Sequence, residues 1–337
     1  MLAGWSLTRL AEQTLVVPVP EGNVASVAAE VAAGAGGVIL FGSSAPANLG
    51  SSLHTLTAVA PGGIAPLVMT DEEGGAVQRM ANLVGSLPSA RQMGATMSPA
   101  QIRRLVTTVA MRMRAAGVTM DLAPVLDLDS GAGPNNRDPD GTRSFSLNPS
   151  IAAADGIAFM QGLEAGGVVP VVKHFPGLGQ ASGNTDVAPA TTRPWLALQH
   201  AGLGPFEMAF ASGAPVVMIA NASVPGLTSL PASISAVVMT SVLRDQLGFN
   251  GLVMTDSLSA GALADIGYSV PRAAVAAIGA GADMVLYTAA AAQVESLTRA
   301  TATALVAAVN AGTLERERLV SAVANILTAK HVDLCAG

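Results

Sequence analysis

The chain has 337 residues, of which 50% are hydrophobic and only 12% are charged. This composition supports a large buried core and excludes an intrinsically disordered protein, and the length fits one large α/β domain. The 17 basic and 23 acidic residues give a formal net charge of −6 without a basic cluster, so we expect no nucleic-acid partner.

Short β-branched runs alternate with longer Ala-rich segments of helical period from one end of the chain to the other. This alternation is typical of repeated β-α units around a parallel sheet. It predicts eight strands, at 14–19, 37–42, 66–71, 118–124, 168–175, 215–221, 251–256 and 283–289. It predicts helices at 23–34, 47–58, 100–116, 149–166, 195–212, 235–247, 270–281, 290–311 and 314–330.

Eight strands that are each followed by a helix favour a (β/α)8 TIM barrel, with residues 1–337 as a single catalytic domain. The alternative is a doubly wound open sheet that binds a dinucleotide. The Gly-rich segment 33–37 precedes a strand instead of following one, which argues against that alternative. Three long irregular stretches are predicted after the third, fourth and fifth strands, at 72–99, 125–148 and 176–194, on the face where barrels carry their active sites.

Membrane and disulfide-rich proteins are also disfavoured. No apolar run reaches the roughly 18 residues that a membrane span needs. Arg9, Glu12 and Gln13 interrupt the apolar N-terminal segment, which therefore does not have the pattern of an export signal. The single Cys335 excludes a disulfide framework and a cysteine-based metal site. We expect a cytoplasmic protein, or an exported one whose signal is absent from this chain.

Polar residues follow the apolar runs where the predicted strands end. They are Asp71, Asp121, Lys173 with His174, Asn221 and Asp256. A charge that directly follows a buried strand is costly unless it has a partner, whereas at a barrel rim it can meet a ligand. The loops add Arg79, in VMTDEEGGAVQRM, and Arg143, in NNRDPDGTRSFSLNPS.

Each of these residues also has a structural interpretation. Asp71 with the two glutamates after it can form a solvated acidic turn, and Asp256 can cap a helix that starts near Ser257. Arg143 can be a surface arginine in a turn. Together, however, several carboxylates, two arginines, a lysine and a histidine without metal-ligand spacing are suited to a polyhydroxylated ligand and to glycosidic-bond chemistry. A Schiff-base role for Lys173 in an aldolase-like barrel is a further alternative.

Five motifs occur in order over nearly the whole chain: DEEGGAVQR, DLAPVLDL, RSFS, KHFPG and TDSLSAGAL. With them the chain resembles the single-domain β-N-acetylglucosaminidases of glycoside hydrolase family 3, which are TIM barrels. The resemblance implies removal of terminal N-acetylglucosamine from peptidoglycan or chitin fragments, commonly in peptidoglycan recycling, without a metal or organic cofactor. It implies that Asp256 is the nucleophile and that the sugar is bound by Asp71, Arg79, Arg143, Lys173 and His174. It implies nothing about the oligomeric state.

The chain departs from the family pattern in one loop. Family members continue KHFPG with His-Gly, and a few residues later carry Asp-Ser-His, whose Asp and His form the acid/base dyad. Here the first histidine is replaced by Leu178, and Asn184, Thr185 and Asp186 stand in place of Asp-Ser-His. A further departure is Asn221, where related sequences often carry histidine.

Two hypotheses follow from this departure. In the first, the chain is a retaining hydrolase in which Asp186 is the acid/base and Asn184 and Asn221 contribute to substrate binding. Asp186 then holds a proton only if burial or the nearby Asp256 carboxylate makes it a weaker acid. In the second, the chain binds a sugar but hydrolyses it weakly or not at all, because the dyad is replaced.

Overall fold

The computed structural model describes residues 2–333, and Cys335 lies outside them. Its strands are short and bounded by loops on both sides. The strands are β1 (Leu15–Pro20), β2 (Gly37–Phe41), β3 (Leu67–Thr70), β4 (Glu72–Gly74), β5 (Val77–Gln78), β6 (Met120–Asp121), β7 (Val169–Pro170), β8 (Val172–Phe175), β9 (Val216–Ile219), β10 (Leu252–Thr255) and β11 (Val285–Leu286).

Two parallel sheets form the centre of the structure. One has six strands in the order β11-β1-β2-β3-β6-β7, and the other has three in the order β10-β9-β8. Only Val171 separates β7 from β8 along the chain, and a parallel bridge between Met254 and Met284 connects β10 to the residue before β11. β4 and β5 form a separate antiparallel hairpin.

The prediction of a parallel α/β architecture is confirmed, and each of the eight predicted strands overlaps at least one observed strand. The prediction that 72–99 is irregular is wrong, because the β4–β5 hairpin and two short helices lie there. The helical period does not identify α4 and α5, because helices of four to seven residues span at most about two turns.

Helices cover the outer faces of the sheets. They are α1 (Leu7–Gln13), α2 (Ala28–Ala33), α3 (Leu49–Thr57), α4 (Ala81–Val84), α5 (Ala90–Thr96), α6 (Pro99–Ala115), α7 (Pro149–Ala165), α8 (Trp195–Ala197), α9 (Gly204–Ala211), α10 (Gly261–Ala264), α11 (Val270–Ala280), α12 (Val294–Asn310) and α13 (Arg316–Ala329), with a π-helical segment at Val237–Gln246. Among residues 2–333, none of the helices combines the length and apolarity needed to cross a membrane.

The sequence signals explain where the long helices begin. Ser98 and Gln101 form a capping box before α6, and Asn148 accepts hydrogen bonds from the amides of Ser150 and Ile151 before α7. Each of these two helices also starts with a proline, whose fixed φ suits the first helical position.

Side chains alternate along the strands between two buried layers. Val16 and Ile39 join a cluster of strand side chains, whereas their neighbours Val17 and Val38 pack in a separate cluster that includes helix residues. The parallel strands are buried on both faces, so their sequences are continuous apolar runs without polar alternation. Because both faces of the strands are buried, the candidate site lies at the strand ends, where polar side chains reach solvent.

A buried ionic cluster joins the π-helical segment and α13 to β10. The Asp283 carboxylate is fully buried and accepts hydrogen bonds from the Val253 amide at 3.0 Å, the Arg244 guanidinium at 3.0 Å and the Asn325 amide at 3.0 Å. Arg318, on α13, donates to its other oxygen. Asp283 therefore connects β10 with the π-helical segment that precedes this strand and with α13.

We expect Asp283→Ala to lower the free energy of unfolding by about 3–5 kcal/mol, because it leaves two arginines without their buried partner. Glu295→Ala is the control, since it breaks the exposed Glu295–Arg299 pair and is expected to cost less than about 0.5 kcal/mol. Urea unfolding followed by circular dichroism measures both. Equal costs for the two variants would contradict a structural role for the Asp283 cluster.

Candidate active site

A cavity of about 390 Å³ opens where the parallel strands end. Most of the sequence-predicted site residues line it. The lining includes Asp71, Glu73, Arg79, Arg143, Lys173, His174, Asn184, Thr185, Asp186, Asp256 and Ser257, together with the apolar side chains of Ile39, Phe41, Leu122, Met218 and Leu286. Asp71 and Asp256, which are 185 positions apart in sequence, thus line one cavity, as the common direction of parallel strands requires.

A buried lysine lies on the floor of this cavity. The Lys173 ammonium, at the end of β8, is 3.1 Å from Asp71 Oδ1 and 2.6 Å from Glu73 Oε1. Glu73 also receives two hydrogen bonds of 2.8 Å from Arg143, through Nε and Nη2. Burial would raise the pKa of Glu73, but Arg143 and Lys173 hold it well below its usual range. Glu73 is therefore a carboxylate shared by two cations.

The ionic contacts of Lys173 decide its chemical state. Burial by itself lowers the pKa of Lys173, but the Glu73 and Asp71 carboxylates outweigh burial and raise it. A Schiff-base lysine needs a lowered pKa, because its free amine is the nucleophile. The aldolase-like alternative is therefore disfavoured, and Lys173 is a fixed ammonium donor.

His174 is held in a defined tautomer. Its Nδ1 lies 2.6 Å from Asp127 Oδ2, and its Nε2 lies 3.3 Å from Arg143 Nη2. A guanidinium can only donate, so Nε2 accepts and the proton is on Nδ1, directed at Asp127. Burial, Arg143 and Lys173 lower the pKa of His174 to about 4, so the ring is neutral at physiological pH.

Asp127 organises the start of the following loop. Besides the His174 ring, it accepts hydrogen bonds from the His174 amide at 3.0 Å and the Leu178 amide at 2.6 Å. Asp127, Asp140 and His174 are also close enough to hold a cation, with ligand atoms within 4.8 Å of one another. The Arg143 guanidinium lies against the same histidine, and the His174 nitrogen nearest Asp127 is already hydrogen-bonded. The geometry thus favours a hydrogen-bonded cluster over a metal centre.

The loop after β3 is held by a second carboxylate. Glu72 is fully buried, and its Oε1 accepts from the amides of Arg79 and Met80, each at 2.6 Å. These bonds fix the backbone from which Arg79 extends into the cavity, 3.6 Å from Asp71 Oδ2. Asp121, one of the strand-end residues noted in the sequence, is buried and accepts from the Glu72 amide at 2.9 Å. It thus supports this loop and is not one of the cavity-lining residues.

Asp256 lies directly after β10, in the cavity. Its amide donates to the Ile219 carbonyl at 2.9 Å, and its Oδ1 accepts from the Ser257 amide at 2.7 Å. The helix that follows begins at Gly261 and has Ala260 at its N-cap, so Asp256 does not cap it. Burial raises the pKa of Asp256, and nearby Asp186 raises it further against the opposing effect of His174.

The loop that carries Asp186 is attached to the segment after Asp256. The Asp186 carbonyl accepts from the Gly261 amide at 3.0 Å, and the Thr185 carbonyl accepts from the Ala262 amide at 3.0 Å. The Asp186 side chain is exposed and faces the cavity, whereas Asn184 uses its side-chain oxygen to accept from the Asp186 amide at 2.9 Å. Leu178, at the place of a family histidine, is buried.

Asn221 takes a different position from the other predicted residues. It is completely buried, and it is not among the side chains that line the cavity. Its Nδ2 donates to the Ser257 carbonyl at 2.7 Å, and its Oδ1 accepts from the Ser233 hydroxyl at 2.6 Å. Its amide therefore supports the backbone next to Asp256.

Several residues of the site were not singled out from the sequence. Glu73, Asp127 and Asp140 are buried carboxylates, and Arg91 extends from α5 towards the loop of Arg143. Arg91 donates to the carbonyls of Asp129 at 2.6 Å, Gly141 at 3.0 Å and Ser144 at 3.2 Å. Asp127 lies in the quoted motif DLAPVLDL and was open to detection there, whereas Arg91 has no signal in the sequence because its partners are backbone atoms.

The site and fold match one known family. The profile of the glycosyl hydrolase family 3 N-terminal domain matches residues 15–329. Parallel β-α units with a cavity of charged side chains at the strand ends place the chain among the α/β proteins that bind ligands at this edge of the sheet. The chain belongs to glycosyl hydrolase family 3.

Curated relatives and solved structures agree with this assignment. The chain is 38% identical over 241 residues to the β-hexosaminidase LpqI of Mycobacterium tuberculosis, in an alignment covering 68% of this chain and 60% of LpqI. A crystal structure of a β-N-acetylhexosaminidase from Beutenbergia cavernae is 31% identical, with a TM-score of 0.88 and 98% and 100% coverage of the two chains. A family 3 structure from Mycobacterium smegmatis is 34% identical, with a TM-score of 0.86 and 98% coverage of each chain.

We expect Arg91→Ala to loosen the Arg143 loop, because three backbone carbonyls lose their donor. Amide hydrogen exchange over residues 129–144 should become faster by about tenfold or more, since each hydrogen bond contributes roughly 1 kcal/mol. Arg91→Lys should restore protection only in part, as an ammonium cannot reproduce the planar guanidinium. Arg137→Ala is the control, because this exposed arginine lies in the same loop. Unchanged exchange in Arg91→Ala would contradict the positioning role.

Proposed function

We propose that the chain is a retaining β-glycosidase that removes terminal N-acetylglucosamine from peptidoglycan or chitin fragments. The proposal rests on two carboxylates, Asp256 and Asp186, that line one cavity. The same cavity is lined by Lys173 and by its ion-pair partners Asp71 and Glu73. The names of the relatives support the choice of substrate, since one solved relative is a β-N-acetylglucosaminidase and another is a β-N-acetylhexosaminidase.

Asp256 is the nucleophile in this proposal. Its carboxylate attacks the anomeric carbon and forms a glycosyl ester, while the glycosidic oxygen takes a proton and the aglycone leaves as an alcohol. Water then attacks the same carbon, gives up a proton to the acid/base and releases the sugar. The Ser257 amide, 2.7 Å from Asp256 Oδ1, orients the carboxylate for attack.

Asp186 is the acid/base in this proposal. Its side chain is exposed in the cavity that Asp256 also lines, and its carbonyl accepts from the Gly261 amide in the segment after Asp256, which supports this role. The Asp186 carboxylate lies close enough to Asp256 to raise its pKa, after the larger effect of burial and against the opposing effect of His174. Glycosidases divide the roles of nucleophile and acid between two carboxyl groups of one site.

The remaining predicted residues bind the sugar. Lys173, Arg143 and Arg79 donate hydrogen bonds, and Asp71 accepts them from sugar hydroxyls. Neutral His174 and the Asn184 amide complete the set. Asn221 acts indirectly, by fixing the backbone of Ser257 beside the nucleophile.

We also infer that the two parallel sheets form one (β/α)8 barrel and that residues 1–337 act as a single catalytic domain. The Met254–Met284 bridge and the single residue between β7 and β8 support this inference. The nine parallel strands within residues 2–333 supply the eight positions of a barrel when β7 and β8 are counted as one strand interrupted at Val171.

A second candidate function is sugar binding with weak hydrolysis. It is favoured by the side chains of the altered loop, because Leu178 is buried and Asn184 cannot ionise and already accepts a hydrogen bond. Tight calorimetric binding of N-acetylglucosamine without turnover of activated or natural substrates would select this function over the first.

We expect Asp256→Ala to lower kcat on an aryl β-N-acetylglucosaminide by several orders of magnitude, since no glycosyl ester can form. Asp245→Ala, an exposed aspartate on the π-helical segment, is the matched control and should keep the parent rate. Initial rates measure both, and mass spectrometry with a slow 2-fluoro substrate should trap a sugar on Asp256. Unchanged activity in Asp256→Ala would eliminate the proposed mechanism.

We expect Asp186→Ala to reduce kcat by about 10²–10⁴-fold on substrates with poor leaving groups and much less on activated aryl substrates. Added azide should restore turnover of the aryl substrates and give a β-glycosyl azide, because azide needs no general base. The measurement is a panel of rates over leaving groups of different acidity. An equal loss on all substrates without azide rescue would remove Asp186 as the acid/base.

A further inference from the structure

The segment after Asp256 packs directly against the loop that carries Asp186. The Gly261 amide donates to the Asp186 carbonyl at 3.0 Å, and the Ala262 amide donates to the Thr185 carbonyl at 3.0 Å. Gly261 and Ala262 are the first two residues of α10, where amides have no acceptor within their own helix. The two hydrogen bonds therefore use donors that the helix leaves free, and they join the two segments backbone to backbone.

Gly261 leaves no room for a side chain at this contact. A Cβ atom at this position would lie 2.3 Å from the Val187 carbonyl oxygen and 2.5 Å from the Val187 carbonyl carbon. The backbone of Gly261 is helical and its φ is not positive, so its conformation does not itself require glycine. The requirement comes from space alone, and the atoms that occupy the space belong to the residue after Asp186.

The loop of Asp186 is also held on its other side. The Asn184 amide donates to the Asn136 carbonyl at 3.1 Å, and Asn184 Oδ1 accepts from the Asp186 amide at 2.9 Å. The Asn184 carbonyl accepts from the amides of Val187 at 3.1 Å and Ala188 at 3.2 Å. The backbone on both sides of Asp186 is thus fixed, and its carboxylate can lie only where this backbone places it.

We propose that Gly261 is a positioning residue for proton transfer: by admitting the Val187 carbonyl against its own backbone, it keeps the Asp186 carboxyl within hydrogen-bond reach of the glycosidic oxygen. The inference rests on the proposed function for the role of Asp186. Its own content is that the segment after the nucleophile sets the position of the acid/base. A displacement of about 1 Å in such a group costs on the order of 10²-fold in rate.

The test is Gly261→Ala, which forces the Val187 carbonyl away by about 1 Å because non-bonded atoms do not approach to 2.3 Å. An alkyl leaving group needs the proton of the acid, whereas a dinitrophenyl leaving group does not. We expect kcat/KM to fall by about 10–100-fold on an alkyl β-N-acetylglucosaminide and by less than about threefold on the dinitrophenyl glycoside. Initial rates over leaving groups of graded acidity measure this dependence.

Gly204→Ala is the matched control. Gly204 is also the first residue of a helix, α9, but a Cβ atom there would make only an ordinary contact, 3.9 Å from Pro149. It lies outside the cavity lining and should keep the parent rates on both substrates.

A double variant separates positioning from general damage. Gly261→Ala combined with Asp186→Ala should be no slower on the alkyl glycoside than Asp186→Ala alone, because a displaced acid and an absent acid lose the same step. A lesion of the fold would instead add to the loss from Asp186→Ala.

Amide hydrogen exchange tests the contact in the parent protein, independently of how the variant folds. The amides of Gly261 and Ala262 should exchange more slowly than unprotected peptide amides by about tenfold or more, because loop carbonyls accept from both. Exchange of these two amides at the unprotected rate would overturn the contact and the proposal with it.

The outcomes distinguish this inference from the proposed function. Equal losses on both substrates in Gly261→Ala, parent rates on both, or a loss that adds to that of Asp186→Ala overturns the positioning role and leaves Asp186 as the acid. A loss in Asp186→Ala that does not depend on the leaving group removes the acid, and the positioning role with it. Absence of turnover in the parent removes the proposed function and leaves no acid for Gly261 to position.

Discussion

The buried charge of Lys173 is the constraint on which the rest of the site depends. An ammonium that is 2% exposed is tolerated only next to carboxylates, and Asp71 and Glu73 supply them at 3.1 and 2.6 Å. Glu73 in turn requires Arg143, which reaches it from a loop 70 residues further along the chain. One buried cation thus fixes the relative positions of β3, β8 and the Arg143 loop.

The same electrostatic arrangement determines which groups are available for chemistry. Arg143 and Lys173 keep His174 neutral, so the histidine that the chain retains is unsuited to supplying a proton. Two carboxylates on the opposite side, Asp256 and Asp186, remain as the ionisable pair near the open part of the cavity. The cavity thus combines a buried array of cations and carboxylates with two further carboxylates near its open part.

The sequence identifies residues near the site but does not distinguish those that line the cavity from those that are buried behind it. Asp71, Lys173 and Asp256 were identified because each follows an apolar run, where an isolated charge is unusual. Asn221 satisfied the same criterion, but in the structure both ends of its amide are used by Ser257 and Ser233. A strand-end position indicates proximity to the site and leaves open whether the side chain points into the cavity.

The sequence by itself determined the parallel α/β class, the approximate positions of the parallel strands and the family motifs. These properties are local, because they follow from the period of apolar residues and from contiguous motifs. The tertiary structure decided the charge state of His174, the sharing of Glu73 by two cations, the support from Asp127 and Arg91 and the packing of Gly261 against the loop of Asp186. Those properties depend on distances between residues far apart in sequence and on burial, and both come into being only when the strands assemble.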